Sequence, residues 1–285
     1  MNLVLLFEGT GQGVEGKFTN VTRLRDLLAE DDGQRLHLES GPGTHFGAYL
    51  FGKVFGADGR EILKSARRWF QQNYQSLPPV DRTKSSGGGE KRWRWTKDGS
   101  STSVYLFGFS RGALLARKFA EWLDKLSIPV AYLGVWDTVD STMKLDVSVE
   151  APGNVRRARH AIARDECRRY FGIVPLHAPH DASAAVRARF EELVFPGVHS
   201  DVGGLYADNH RMADETLRWI AAPACEAGMR LKDGATLDPS DPGTPVVLHT
   251  SHRLISNLWG MLGTVKRELT GLKVFSLPLI PAPST

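Results

Sequence analysis

Along the chain, short continuous apolar runs alternate with longer stretches whose apolar residues recur every three or four positions. The first run, "LVLLF" (residues 3–7), is stopped by the glycine-rich "EGTGQG" and predicts a buried strand followed by a loop. "NVTRLRDLLAE" follows, with Val21, Leu24, Leu27 and Leu28 at helical spacing and Asn20 as the expected helix cap. "RLHLESGPGTHFG" predicts a second strand and a tight loop, and "REILKSARRWFQQNYQSL" an amphipathic helix closed by Pro78 and Pro79. Beyond residue 101, "VYLF" reads as strand and "ALLARKFAEWL" as helix. "IPVAYLGVWDTVDS" then reads as a strand ending at Trp136 and Asp137, and "VRRARHAIARDECRRYF" as a basic helix. "ARFEELVFPGVHSDVGGLY" predicts a strand ending in a loop at His199, and "MADETLRWIAAPACEAGM" a helix capped by Gly228. Strands alternating with helices, without hairpin signals or repeats, predict an α/β fold with a mostly parallel sheet covered by helices on both faces. The low-complexity stretch 81–101, "DRTKSSGGGEKRWRWTKDGSS", reads as a mobile insertion within a single domain spanning 1–285.

Composition narrows the field. With 285 residues, 41% hydrophobic and 24% charged, the chain can bury a sizeable core. A net charge of +4 and a pI near 9.1 are only mildly basic, and the arginines are dispersed rather than gathered into a nucleic-acid footprint. Cys167 and Cys225 have neither metal-ligand spacing nor the number for a disulfide framework. "MNLVLLFEGTGQG" lacks a basic leader and cleavage site, and no run approaches the length of a membrane span. The expectation is therefore synthesis in the cytoplasm without a signal peptide.

The chemistry centres on "GFSRG", residues 108–112, where a β-type run becomes a helical one. Gly-x-Ser-x-Gly between strand and helix is the pattern of a nucleophile elbow, the feature that lifts a serine above the sheet of α/β-hydrolases. The flanking glycines let Ser110 adopt a strained backbone, and the helix start places the Arg111 N–H where it can hold an oxyanion. A serine nucleophile needs a base, and the base an orienting acid, in the chain order Ser, Asp, His. Asp137 ends the next strand, and His199 lies in a glycine-flanked loop after a later one. His252 obeys the same order and competes for the base; Asp201 competes for the acid. His199 with Asp201 also suggests metal ligands, but no third ligand stands at defined spacing, and the reaction requires neither metal nor organic cofactor. His160, Asp165 and Glu166 read as solvated ion pairs on a helix.

In order along residues 3–263, "FEGTG", "SGPGT", "GFSRGA", "GVWDTV", "RHAIARDECRRYF", "FPGVHSDVGG" and "SHRLISNLWG" resemble the α/β-hydrolase domain family that includes type VI secretion phospholipase effectors. The resemblance implies an α/β-hydrolase-like fold with Ser110 as nucleophile, Asp137 as acid and His199 as base. It also implies that the loop after the first strand supplies a second oxyanion donor from Glu8 or Gly9. Two positions depart from the family pattern: Glu8 stands for an aspartate, and Gly11-Gln12-Gly13 occupies the place of an asparagine. The implied activity is a serine esterase of phospholipase A type, acting as an antibacterial effector with a delivery or immunity partner. "KRWRWTK", with Trp93 and Trp95, reads as an interfacial anchor for peripheral membrane contact, and "LISNLWGMLG" as an apolar lid. A soluble esterase for small acyl esters and a non-catalytic interaction module are the alternatives.

Overall fold

The computed structural model describes residues 1–10, 19–42, 55–74, 102–140, 152–169, 171–176, 184–238, 244–250, 266–267 and 269–276. The 81–101 insertion with Trp93 and Trp95, the "LISNLWGMLG" stretch and His252 lie outside them.

Among the described residues, seven strands form one sheet: β1 (Asn2–Phe7), β2 (Gln34–Glu39), β3 (Ser103–Phe109), β4 (Tyr132–Trp136), β5 (Ala158–Ala163), β6 (Phe190–Phe195) and β7 (Lys273–Val274). Their order is β2-β1-β3-β4-β5-β6-β7, and every pairing is parallel. The helices are α1 (Asn20–Leu27), α2 (Phe55–Asn73), α3 (Arg111–Lys125), α4 (Ala184–Arg189), α5 (His199–Gly203) and α6 (Arg211–Glu226).

Side-chain alternation along the strands divides the core into two layers. Leu3, Leu5, Phe7, Val104 and Leu106 pack with Ile62 and Phe70 of α2 and Leu115 and Phe119 of α3. The intervening Val4, Leu6, Tyr105 and Phe107 pack on the other face with Val21 and Leu24 of α1 and Leu217 and Ile220 of α6. Burial on both faces is why these strands read as unbroken apolar runs. Each such leucine or phenylalanine contributes roughly 1.5–3 kcal/mol by leaving water.

The strand order reverses at β1, whose chain continuation β2 lies on one side and β3 on the other. Such a reversal opens a crevice at the carboxyl ends of the strands, where the loops that follow diverge onto opposite faces. The loop after β1 begins at Glu8 and Gly9, and that after β3 at Ser110.

Three local expectations are corrected. Thr19, not Asn20, caps α1, its hydroxyl accepting the Thr22 N–H at 3.2 Å. Asn20 is the first helical residue, and its side-chain amide reaches Val202 O, Ala213 O and Thr216 Oγ1 at 3.1, 3.0 and 2.9 Å. The segment read as a basic helix contains strand β5, with His160 and Glu166 buried instead of solvated. Its arginines suggested a polar helical face, but Arg159 reaches sideways to Glu191 and Trp219 O while the strand fills the gap between β4 and β6. His199 opens the short helix α5 rather than lying in an irregular loop.

Candidate active site

Ser110 sits between β3 and α3 with φ 59° and ψ −125°, a backbone conformation that strains a non-glycine residue by about 1–3 kcal/mol. Close packing explains its glycine neighbours. A Cβ on Gly108 would lie 2.5 Å from Gly112 O, and one on Gly112 would lie 2.2 Å from Phe7 O and 2.3 Å from Glu8 O. The elbow is thus pressed against the end of β1, and its Ser110 N–H is fixed to Trp136 O of β4 at 2.9 Å. The α3 N-terminus begins at Arg111, where backbone N–H groups and the helix dipole favour negative charge.

The loop after β1 meets the elbow from the other side. A Cβ on Gly9 would come within 3.4 Å of Ser110 Cβ. The Glu8 N–H donates to Glu39 O at 3.0 Å, which commits it to the sheet edge, while the Gly9 N–H donates to Glu8 Oε2 at 3.1 Å. Of the two residues expected to supply an oxyanion donor here, Gly9 is the one whose N–H is not held by the sheet. Glu8 itself is fully buried, with Oε1 2.5 Å from Thr19 Oγ1, and burial pushes its carboxyl up to about 7 against the pull of its hydrogen bonds.

Asp137 follows β4 directly and adopts φ 39°. Its Oδ2 lies 2.5 Å from His199 Nδ1, and both side chains are buried. Oδ1 accepts the Ala163 N–H at 2.8 Å. Burial alone would raise the Asp137 carboxyl, but the Arg267 charge and the His199 hydrogen bond outweigh it and hold the group well below the usual carboxylate range. Arg267 donates to Oδ1 at 2.6 Å and to Oδ2 at 3.0 Å.

The His199 ring stacks on Phe109, the residue before Ser110, with centroids 4.5 Å apart, and meets the edge of Phe171 at 4.9 Å. Burial lowers its pKa from the ordinary imidazole value, and the Asp137 contact only partly restores it. Its backbone N–H donates to Glu166 Oε2 at 3.3 Å. Glu166 is gripped in turn by a forked contact from Arg168, at 2.9 and 2.8 Å, and Arg168 lies over the Phe171 ring. Asp201 does not meet the Asp137–His199 pair. It accepts the Val198 N–H at 2.8 Å and bonds His249 Nδ1 at 2.6 Å, so it fixes the turn into α5 and ties it to the 244–250 segment. Among the described residues, no group of three or more His, Cys, Asp or Glu is placed to hold a metal ion.

A second buried pair stands behind Asp137. The Thr138 N–H donates to His160 Nε2 at 3.0 Å, so His160 carries its proton on Nδ1, which faces Glu192 Oε1 at 2.8 Å. His160 and Glu192 are register partners on β5 and β6. Arg267, Glu166 and the His160–Glu192 pair were not selected by sequence reasoning. The signal for the last was present, since a histidine in "ARHAIA" and a glutamate in "FEELVF" each interrupt an apolar run.

The parallel sheet with this strand-to-helix elbow defines the chain as a protein of the α/β-hydrolase fold. Its sequence matches the family model described as T6SS, phospholipase effector Tle1-like, catalytic domain, over residues 1–129 and 124–223, and the chain belongs to that family. Among solved structures, an uncharacterized protein from Pseudomonas aeruginosa is 19% identical with a TM-score of 0.52, covering 81% of this chain and 46% of its own. The Tle1 effector bound to the VgrG spike from the type VI secretion system is 17% identical with a TM-score of 0.46, covering 72% and 51%. The RedJ thioesterase from the prodiginine pathway of Streptomyces coelicolor is 13% identical with a TM-score of 0.40, covering 78% and 89%. The chain spans about half the length of the first two. No curated protein matches the sequence.

Proposed function

We propose that the chain is a serine hydrolase that cleaves carboxylic esters of glycerophospholipids, a phospholipase A-type activity, and serves as a type VI secretion effector. The observation that carries this reading is the buried Asp137–His199 pair, 2.5 Å apart, ringed by the residue that precedes the strained Ser110. Family membership supports the lipid substrate and the delivery. Contact with lipid is read as peripheral, and among the described residues no helix is long and apolar enough to cross a membrane.

With Nδ1 directed at Asp137, the neutral His199 carries its lone pair on Nε2. That nitrogen takes the Ser110 proton as Oγ attacks the ester carbonyl, forming a C–O bond and placing charge on the carbonyl oxygen. The Arg111 N–H and the Gly9 N–H receive this oxyanion, the latter by exchanging its bond to Glu8 for one to the substrate; each such donor is worth about 3 kcal/mol in the transition state. Collapse expels the lysolipid alkoxide, which takes the proton back from His199. Water, deprotonated by the same imidazole, then hydrolyses the acyl-serine and releases the fatty acid. Asp137 keeps the imidazole in one tautomer and balances its charge while it is protonated.

A fluorophosphonate probe should label the wild-type protein at Ser110 and leave Ser110→Ala unlabelled. On phosphatidylethanolamine and phosphatidylglycerol vesicles the same substitution should lower fatty-acid release by about 10⁴-fold or more, with an unchanged thermal midpoint. Fatty-acid release by Ser110→Ala at near wild-type rates would refute the serine mechanism.

A further inference from the structure

Arg267 lies outside the two matched stretches of the family model, far along the chain from every strand-end residue of the site. Its guanidinium is nevertheless buried against the middle of that site, with its side chain only 4% exposed. Five contacts use its donors in full. Nη1 reaches Asp137 Oδ1 and Ala163 O at 2.6 and 2.8 Å, Nη2 reaches Asp137 Oδ2 and Phe171 O at 3.0 and 2.7 Å, and Nε reaches Phe171 O at 3.1 Å. Planar arginine supplies this fork, and a lysine ammonium does not.

We infer that Arg267 is a positioning residue that sets the plane and the charge of the Asp137 carboxylate, and through them the orientation and basicity of His199. The geometry makes the case. Asp137 Oδ1 is shared between Arg267 and the Ala163 N–H, and Oδ2 between Arg267 and His199 Nδ1, so the carboxylate has one rotational setting. The same guanidinium holds the Phe171 carbonyl, and the Phe171 ring is one of the two walls of His199. One residue therefore fixes both the acid that the imidazole leans on and the surface that it rests against. The second consequence is electrostatic. The charges acting on His199 are Asp137 after β4, Glu166 and Arg168 after β5, and Arg267 through its hold on Asp137, while Asp201 on its own helix turns to the Val198 N–H and His249. Arg267 offsets the negative charge of Asp137, and without it the imidazolium gains a more strongly attracting neighbour.

This inference rests on the serine-hydrolase reading, and its test separates the two. Wild type, Arg267→Ala and Arg267→Lys are compared in fluorophosphonate labelling rate and in the pH profile of kcat/KM on a soluble short-chain ester, with circular dichroism to verify folding. Arg267→Ala should label at Ser110 but about 10–100-fold more slowly, as expected for a loosened base. Because only neutral His199 acts as base, the stronger pull of Asp137 on its imidazolium should move the acid limb upward by about 0.5–1 pH unit. Arg267→Lys should keep the limb near its wild-type position, since the charge remains, while kcat falls about tenfold for want of the fork. A folded Arg267→Ala protein with an unmoved acid limb would overturn the inference, whatever its rate. If Arg267→Ala does not fold, wild-type turnover in Arg267→Lys would overturn it equally. Failure of the wild type itself to label overturns the hydrolase reading, and is recognised because it does not depend on Arg267.

Discussion

Glu8→Gln tests how the loop after β1 is built. Glu8 is wholly buried, and its carboxyl bridges Thr19 Oγ1 and the Gly9 N–H. Burial is the largest influence on it and raises its pKa from 4.5 to about 7, the hydrogen bonds opposing. An acid whose folded pKa is raised binds its proton more tightly when folded, so ionising it destabilises the fold. The penalty is absent below the unfolded pKa of 4.5, grows as pH rises, and is complete above about 7. Linkage at 1.36 kcal/mol per unit makes the full penalty about 3 kcal/mol, of which about 2.5 kcal/mol develops between pH 5 and pH 8. Glutamine cannot ionise, and its amide can still accept from Gly9 and donate to Thr19, as the protonated acid does. Urea unfolding of both proteins at pH 5, 6, 7 and 8 gives their stability difference, from which other titrating groups largely cancel. That difference should move in favour of Glu8→Gln by about 2.5 kcal/mol from the lowest pH to the highest. A difference that stays flat over this range would mean that Glu8 is ionised throughout, held by its partners more firmly than burial opposes it.

Two other substitutions probe the surroundings of the site. A Cβ at Gly41 would lie 1.6 Å from Gly9 O, so Gly41→Ala should displace the Gly9 loop and lower kcat at least about tenfold in a fatty-acid release assay. Unchanged kcat would separate that loop from the chemistry. His160→Ala leaves the buried Thr138 N–H without its acceptor and takes the imidazole from the Glu192 carboxylate, which keeps the Leu176 N–H, and should cost about 3 kcal/mol in urea unfolding. A loss under about 1 kcal/mol would show that water replaces the imidazole.

The parallel sheet was legible because its inner strands are buried on both faces and appear as short, wholly apolar runs. The elbow was legible for a different reason: the change of period at Ser110 occurs within a few residues, and the flanking glycines answer a steric demand that is local. Strand β5 was not, since its burial depends on neighbours, while its flanking arginines give a local pattern that imitates a helix face. Asn20 was expected to act through its own backbone neighbourhood as a cap, yet its side-chain amide nitrogen reaches residues 182 and 193 positions away on α5 and α6. Spacing left His199 and His252 nearly balanced, because both follow an apolar run in the permitted order. Arg267 had no local signature at all: a single arginine among many, its meaning set by a carboxylate 130 positions earlier.

The pairing of β1 with β3 joins Leu5 to Leu106, residues about a hundred positions apart, around a connection that contains β2 and α2. Closing a chain loop has an entropy that grows only as the logarithm of its length, so each doubling of the closed loop costs only about 0.6 kcal/mol. Tens of residues can thus be gained or lost between α2 and β3 with less effect than deleting one buried methylene, which is worth about 0.8 kcal/mol. The sheet edge that carries Ser110 is insulated from the length of the chain that precedes it. Chain length can change there while the strand ends keep their register.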